Sequence, residues 1–231
     1  MRFDVLTLFP ELIQSHLNFS IMKRANDDGI IEVNTINPRD YTLDKHKKVD
    51  DTPYGGGAGM VLAPQPYVDA YEGINKENNS ITMMMTPQGE PFTHEISKEL
   101  AQYDQVIILC GHYEGFDERI REIIKPREIS IGDFVLTGGE LPALCVIDSV
   151  SRNIEGTLGK IESAHDDSFA DGLLEYPHYT KPREYRGLEV PEVLLNGNHK
   201  LINEFRMEQK IARTKAKRPD LYEKWKSKNK N

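Results

Sequence analysis

The chain has 231 residues, 38% of them apolar and 29% charged, and carries a formal net charge of −8 at neutral pH. That composition fits a soluble protein with one full core and room for a small second domain. It excludes a membrane span, since no apolar run approaches the necessary length, and Met1 to Pro10 lacks the basic start and apolar stretch of a signal peptide, so a cytoplasmic protein is expected.

The first expected element is a strand from Arg2 to Leu8. Pro10 then leads into an amphipathic helix through Leu12, Ile13, Leu17, Ile21 and Met22, closed by Asp27-Asp28-Gly29, and Ile30 to Ile36 reads as a second strand. Asn37 to Met60 breaks this pattern with a charged passage from Asp44 to Asp51 followed by Gly55, Gly56, Gly57 and Gly59. A loop of this length inside a compact domain is either functional or disordered, and glycines so dense serve a close backbone approach or a flexible lid equally well. His46, set among lysines, reads as an exposed histidine with no metal partner at ligand spacing.

A helix begins in Pro66 to Tyr71, a strand runs from Ile81 to Met85 and ends at Thr86-Pro87-Gln88-Gly89, and Phe92 to Leu100 is helical; Met83, Met84 and Met85 are expected in the core. Gln105 to Cys110 has the β-branched, uninterrupted character of a buried strand and runs into the turn Gly111-His112-Tyr113-Glu114-Gly115. Phe116, Ile120, Ile123 and Ile124 recur at helical spacing, Ile129 to Leu136 reads as another strand, and Thr137-Gly138-Gly139 turns into a helix from Glu140 to Val150 with Pro142 in its first turn. Cys110 and Cys145 both lie in apolar segments, which predicts buried free thiols.

Residues 1–155 therefore read as an α/β domain with a mostly parallel sheet. Residues 156–180 lack a sustained apolar period and read as a flexible interdomain linker. Residues 181–231 read as a small helical domain, with helices at Pro191 to Leu195, Leu201 to Ile211 and Leu221 to Trp225. From Lys181 onward 14 Lys and Arg face 7 Asp and Glu, a net of +7, which leaves 15 basic and 30 acidic residues, a net of −15, before it. A basic end on an acidic body suggests a nucleic-acid contact, with Lys217 and Arg218 as candidates for phosphate; a solvated helix face would look the same.

In an open parallel sheet, ligands sit beyond the carboxyl ends of the strands, where both glycine turns fall. Neither turn is a phosphate loop, because no GxGxxG opens a helix and no GxxxxGK[ST] occurs, so the pattern suits a nucleoside-like ligand with little phosphate. Glycines in such turns also serve tight turning alone.

Seven motifs occur together in order: Tyr54-Gly55-Gly56-Gly57-Ala58-Gly59-Met60, Cys110 to Gly115, Ser130 to Leu136, Gly138-Gly139-Glu140-Leu141-Pro142-Ala143, Asp167-Ser168-Phe169, Pro177-His178-Tyr179-Thr180 and Val193 to His199. The set, spanning Met1 to about Tyr222, resembles the bacterial tRNA (guanine-37-N1)-methyltransferases. It departs mildly at His112, Phe134 and Asn196, where arginine, tyrosine and serine are common, which bears only on the detail of cofactor contacts.

The resemblance implies a SPOUT fold, in which the last strands and helices of an α/β sheet pass through a loop as a trefoil knot, an exception to the general absence of knots. It implies S-adenosyl-L-methionine bound within the knot by Thr86, Pro87, Gly111, Glu114, Ile131, Gly132, Asp133, Phe134, Val135, Leu136, Gly138, Gly139 and Pro142. It further implies a homodimer with shared sites, and a tRNA substrate methylated at guanosine 37 beside the anticodon, with Asp167 as general base and Arg152 as the partner of guanine O6. Without the resemblance, the sequence favours reading Arg152 as a helix-end arginine in a salt bridge. Magnesium is a further cofactor allowed by the resemblance, although no carboxylate cluster in the sequence demands a metal.

Two other classes compete. A nonenzymatic RNA-binding protein explains the basic end but gives the glycine turns no role. A nucleotide-dependent oxidoreductase explains the α/β order but needs a dinucleotide fingerprint that is missing.

Overall fold

The computed structural model describes residues 1–158 and 167–229, and the chain forms two compact units, Met1–Gly159 and Lys160–Asn231. The second unit thus begins inside the stretch expected as a linker.

The first unit is built on five strands: β1 (Arg2–Leu6), β2 (Glu32–Ile36), then, after the short antiparallel pair β3 (Asp50–Asp51) and β4 (Val61–Leu62), β5 (Ser80–Pro91), β6 (Gln105–Cys110) and β7 (Arg127–Ser130). They lie in the order β2-β1-β6-β5-β7, and every neighbouring pair is parallel. Because side chains alternate across a strand, β6 sends Val106, Ile108 and Cys110 to one face and Ile107 and Leu109 to the other, all fully buried. A strand buried on both faces has no polar alternation, which is why the run reads as continuously apolar.

Helices α1 (Pro10–His16), α2 (Ser20–Asp27), α4 (His94–Leu100) and α6 (Glu140–Ser151) feed the core on the first face, whereas α3 (Pro64–Glu72) and α5 (Glu118–Ile124) cover the second. Met83 and Met85 fill one core and Met84 the other, as expected of them.

The first unit departs most from the expected elements in four places. The single helix through Leu12 and Met22 is two, parted by an extended Phe19 (φ −130°, ψ 147°), and both Leu17 and Met22 reach the core across the break. Strand β5 continues past Met85 to Pro91, with a register shift in which Met85 and Glu90 both pair with Ile129, so Thr86–Gly89 arches out of the ladder. Strand β7 stops at Ser130 rather than Leu136. Gly132 takes φ +150°, and the Ser130 hydroxyl accepts from Gly132 N at 3.2 Å in place of a ladder partner. Cys145 is exposed, because α6 turns Ala143, Val146, Ile147 and Val150 inward and leaves Leu141 and Cys145, one turn apart, on its outer side.

The long loop after β2 is ordered by local bonds. Asn37 caps the 3₁₀ turn Pro38–Asp40, Val49 is buried, and the backbone amides of Lys48 and His46 donate to Asp44, which holds that carboxyl below its usual range.

In the second unit, α7 (His199–Lys217) is capped by Asn198 and followed at once by α8 (Pro219–Lys228), whose proline suits a first-turn position. A 3₁₀ turn, Glu192–Leu194, replaces the short helix expected there. Ahead of it β8 (Glu184–Tyr185) and β9 (Leu188–Glu189) form a hairpin turned by Arg186 and Gly187, both at positive φ, as a two-residue connection requires. Lys210 is buried on α7 and donates to Asp171 at 2.5 Å, while Thr214 Oγ1 accepts from Leu174 N at 2.8 Å.

Candidate active site

A cleft of about 280 Å³ opens at the arch within β5 and beyond the carboxyl ends of β6 and β7. Each strand contributes the segment that follows its ladder: Thr86 and Pro87 from the arch in β5, Gly111 and Glu114 from the turn after β6, and Ile131, Gly132, Phe134, Val135, Leu136, Gly138 and Gly139 from the segment after β7, with Pro142 from the first turn of α6. Of the residues expected around the cofactor, Asp133 alone does not line the cleft; it lies exposed beside it.

The two glycine turns are stitched together. Gly139 N donates to Gly111 O at 2.8 Å, and His112 and Gly138 form an isolated antiparallel bridge. A Cβ on Gly139 would stand 2.8 Å from Cys110 Cα and 2.9 Å from Gly111 N, so no other residue fits without moving backbone. The first turn is held from the other side by Glu114 N donating to Met60 O at 3.0 Å and Leu62 N donating to Gly115 O at 2.9 Å, which ties the glycine-rich loop to the cleft.

Phe134, Val135 and Leu136 are 53%, 82% and 39% exposed, so the apolar stretch after β7 walls an open cleft instead of filling the core. Apolar walls with backbone donors and acceptors between them suit a flat heteroaromatic ring, and Glu114, whose carboxylate lies against Gly59, also lines the cleft. Cys110 is no nucleophile here: burial pushes its thiol well above the ordinary range, and the nearby Glu140 adds to the effect. Burial likewise raises the Tyr67 phenol, whose hydroxyl donates to Cys110 O at 3.1 Å and steadies the end of β6.

Sequence reasoning missed Gln88, Tyr113, Arg121 and Thr137, which also line the cleft, and assigned His112 only a departure from pattern. Tyr113 lies within a motif, and Gln88 and Thr137 adjoin expected cofactor residues; Arg121 could not have been found, since helix α5 brings it in only through the tertiary fold.

Of the two residues expected to act on the substrate, Arg152 caps the C-terminus of α6 in the first unit and is partly buried. Asp167 opens the described part of the second unit, its carbonyl accepting from Ala170 N at 3.2 Å in a turn that runs to Gly172. Its neighbour Asp166 lies outside the described residues. Among the described residues no three His, Cys, Asp or Glu side chains converge as a metal site would require.

The second unit has a cleft of its own, of about 300 Å³, lined by Ser168, Leu174, Glu175, Tyr176, Pro177, His178, Arg213 and Lys217. The Arg206 guanidinium lies 4.7 Å over the Tyr176 ring, and the His178 ring packs 4.9 Å from it. Arg213 and Lys217 stand one turn apart on α7. Arg218, in contrast, spends its fork on Asp220 at 2.9 and 2.6 Å, a bond that raises the arginine and lowers the aspartate.

Residues 1–224 match the family described as tRNA (Guanine-1)-methyltransferase TrmD. The chain belongs to this family. It is 56% identical over 225 residues to the tRNA (guanine-N(1)-)-methyltransferase of Staphylococcus epidermidis, covering 97% of this chain and 92% of that one. The enzyme of the same description from Desulforamulus reducens is 55% identical over 224 residues, covering 96% and 88%, and that of Staphylococcus aureus 54% over 225 residues, covering 97% and 92%. Family membership therefore spans both units. No helix among the described residues is long and apolar enough to cross a membrane.

Proposed function

We propose that this chain transfers a methyl group from S-adenosyl-L-methionine to N1 of guanosine 37 in tRNA, in the cytoplasm, with Asp167 as the base. The observation that carries the reading is the convergence of Thr86, Gly111, Glu114, Ile131, Leu136, Gly138 and Gly139 on one cleft in a chain of this family. When bound, S-adenosyl-L-methionine supplies a methyl group already activated on a sulfonium. Backbone groups of the glycine turns, with Ile131 and Leu136 as apolar walls, would hold its adenine, and Glu114 would offset its positive charge.

Guanine N1 carries a proton at neutral pH and is a poor nucleophile. Asp167 accepts that proton, Arg152 offsets the charge that builds on O6, and the freed N1 lone pair takes the methyl carbon as its bond to sulfur breaks. Arg213, Lys217 and His178 hold tRNA phosphates while the anticodon loop presents its base extruded from the stack. The arch of β5, the turn after β6 and the segment after β7 meeting at one cleft accord with a trefoil knot. Leu12, Leu141 and Cys145, exposed on α1 and α6, accord with a homodimer, which equilibrium sedimentation of a monomer would exclude.

The deciding experiment is single-turnover methylation at saturating tRNA and S-adenosyl-L-methionine. Asp167→Asn keeps size and hydrogen bonding but cannot take the N1 proton, so the rate falls by about 10² to 10⁴ with donor affinity unchanged. A larger loss in Asp166→Asn than in Asp167→Asn would overturn the assignment, and comparable large losses in both would mean that the pair acts jointly. For tRNA affinity, Arg213→Gln weakens binding and lowers the salt slope by about one, whereas Arg218→Gln has a smaller effect because Asp220 already occupies its charge. Filter binding across salt concentrations reads both; the reverse order would place the phosphate at Arg218.

A further inference from the structure

Behind the wall of the donor cleft lies a buried charge that the proposed chemistry does not use. Glu140 opens α6 and is 2% exposed. A carboxylate taken out of water is costly unless each oxygen finds a donor. Here Thr7 Oγ1 donates to Oε1 at 2.6 Å and His112 Nε2 lies 2.7 Å from Oε2, while the first turn of the twelve-residue α6 favours a negative charge at its start. Thr7 is held in turn, its hydroxyl oxygen accepting from Phe9 N at 2.9 Å, and the Phe9 ring packs 4.7 Å from the His112 ring.

The three polar side chains come from three separate segments: the end of β1, the first glycine turn and the second. They meet where the backbones of the two turns are stitched. A Cβ on Gly138 would fall 2.2 Å from His112 Nε2 and 2.6 Å from Glu140 Oε2, so the pair occupies the space a side chain there would need. Of the three, only His112 lines the cleft.

We propose that Thr7, Glu140 and His112 are positioning residues, Glu140 fixing the His112 ring and the Gly138–Gly139 backbone in register so that donor affinity depends on a carboxylate that does not touch the donor. This rests on the reading of the cleft as the donor site. Loss of Glu140's charge loosens the register between the turns, while the groups that act on guanine N1 keep theirs. The signature is a rise in the donor's KM with kcat at saturation nearly unchanged.

The test is calorimetric titration of the full chain with S-adenosyl-L-homocysteine, alongside donor KM and kcat on a tRNA transcript. Glu140→Gln keeps the shape, and its amide still reaches Thr7 and His112, so only the charge assistance goes; affinity falls about tenfold and kcat stays within about threefold. Thr7→Val, which removes one donor to the carboxylate without changing size, falls by a similar factor, and Thr7→Ser restores affinity to within about twofold. The Thr7 pair decides the matter if Glu140→Gln fails to fold. Native affinity in Thr7→Val and in every folded Glu140→Gln preparation, or a loss of kcat at unchanged affinity, overturns the positioning role and leaves the cleft reading intact. No binding by the native chain overturns the cleft reading itself.

Discussion

Two apolar runs in this chain look alike and do opposite things. Gln105 to Cys110 carries Val106, Ile107 and Ile108, Ile129 to Leu136 carries Ile129, Ile131 and Val135, and both lead into a glycine turn. The first is a central strand, hydrogen-bonded on both sides and buried throughout. The second leaves the sheet after Ser130, and its last three apolar side chains face open space. An apolar run is thus a demand for burial without an address: in β6 the protein meets it, and after β7 the side chains wall an open cleft.

The difference is sharpest in substitutions that shorten a side chain in each run. Ile108→Ala removes a fully buried side chain from the middle of the sheet and costs about 2–5 kcal/mol, read as a lower denaturant midpoint, while the folded fraction binds S-adenosyl-L-homocysteine within about threefold of native. Leu136→Ala does the reverse. Stability moves by no more than about 0.5 kcal/mol, because the residue is already 39% exposed, and ligand affinity falls by about five- to twentyfold. Equal stability losses in the two variants would mean that the second run is core after all.

The smallest effect is expected where β5 resumes beside β7. Arg127 donates to Glu90 and Glu99 at 2.6 Å each, which holds the Glu90 carboxyl below its ordinary range and raises the arginine. A depressed carboxyl contributes stability that is present above its unfolded value, about 4.3, and lost as pH falls through the lower folded one. Solvent screens the pair, so Glu90→Gln costs less than about 1 kcal/mol at pH 7 and nothing at pH 2, measured by urea unfolding at the two values. A constant difference across that range would show that the ion pair contributes nothing through Glu90's charge.

Much of the first unit was legible. Strand β6 matches its expected bounds residue for residue, because a run buried on both faces needs no periodicity to be recognised. Helix α6 ends one residue beyond expectation, since Gly139 ahead of it and Pro142 in its first turn mark its start. The break at Phe19 was not legible, nor the hairpin at Arg186-Gly187, because neither Phe19 nor Arg186 is a residue type that marks a helix break or a left-handed turn. Cys145 was misread for a related reason: its neighbours are apolar, but which side of a helix faces inward depends on what packs there.

For the cleft, local order alone determined that glycine turns would stand at the ends of strands, and family motifs named the residues on them. The tertiary structure decided what those turns could become. Strand order brings β5, β6 and β7 side by side, so segments dozens of residues apart in the chain share one wall. It also sets Thr7 and His112 against Glu140, residues whose types and spacing give no hint of a pair. The physical reason is the same in each case. Propensity and hydrophobic period act over a turn or two of chain, whereas the pairing of a buried charge and the exposure of an apolar wall are settled by neighbours that only the folded sheet supplies.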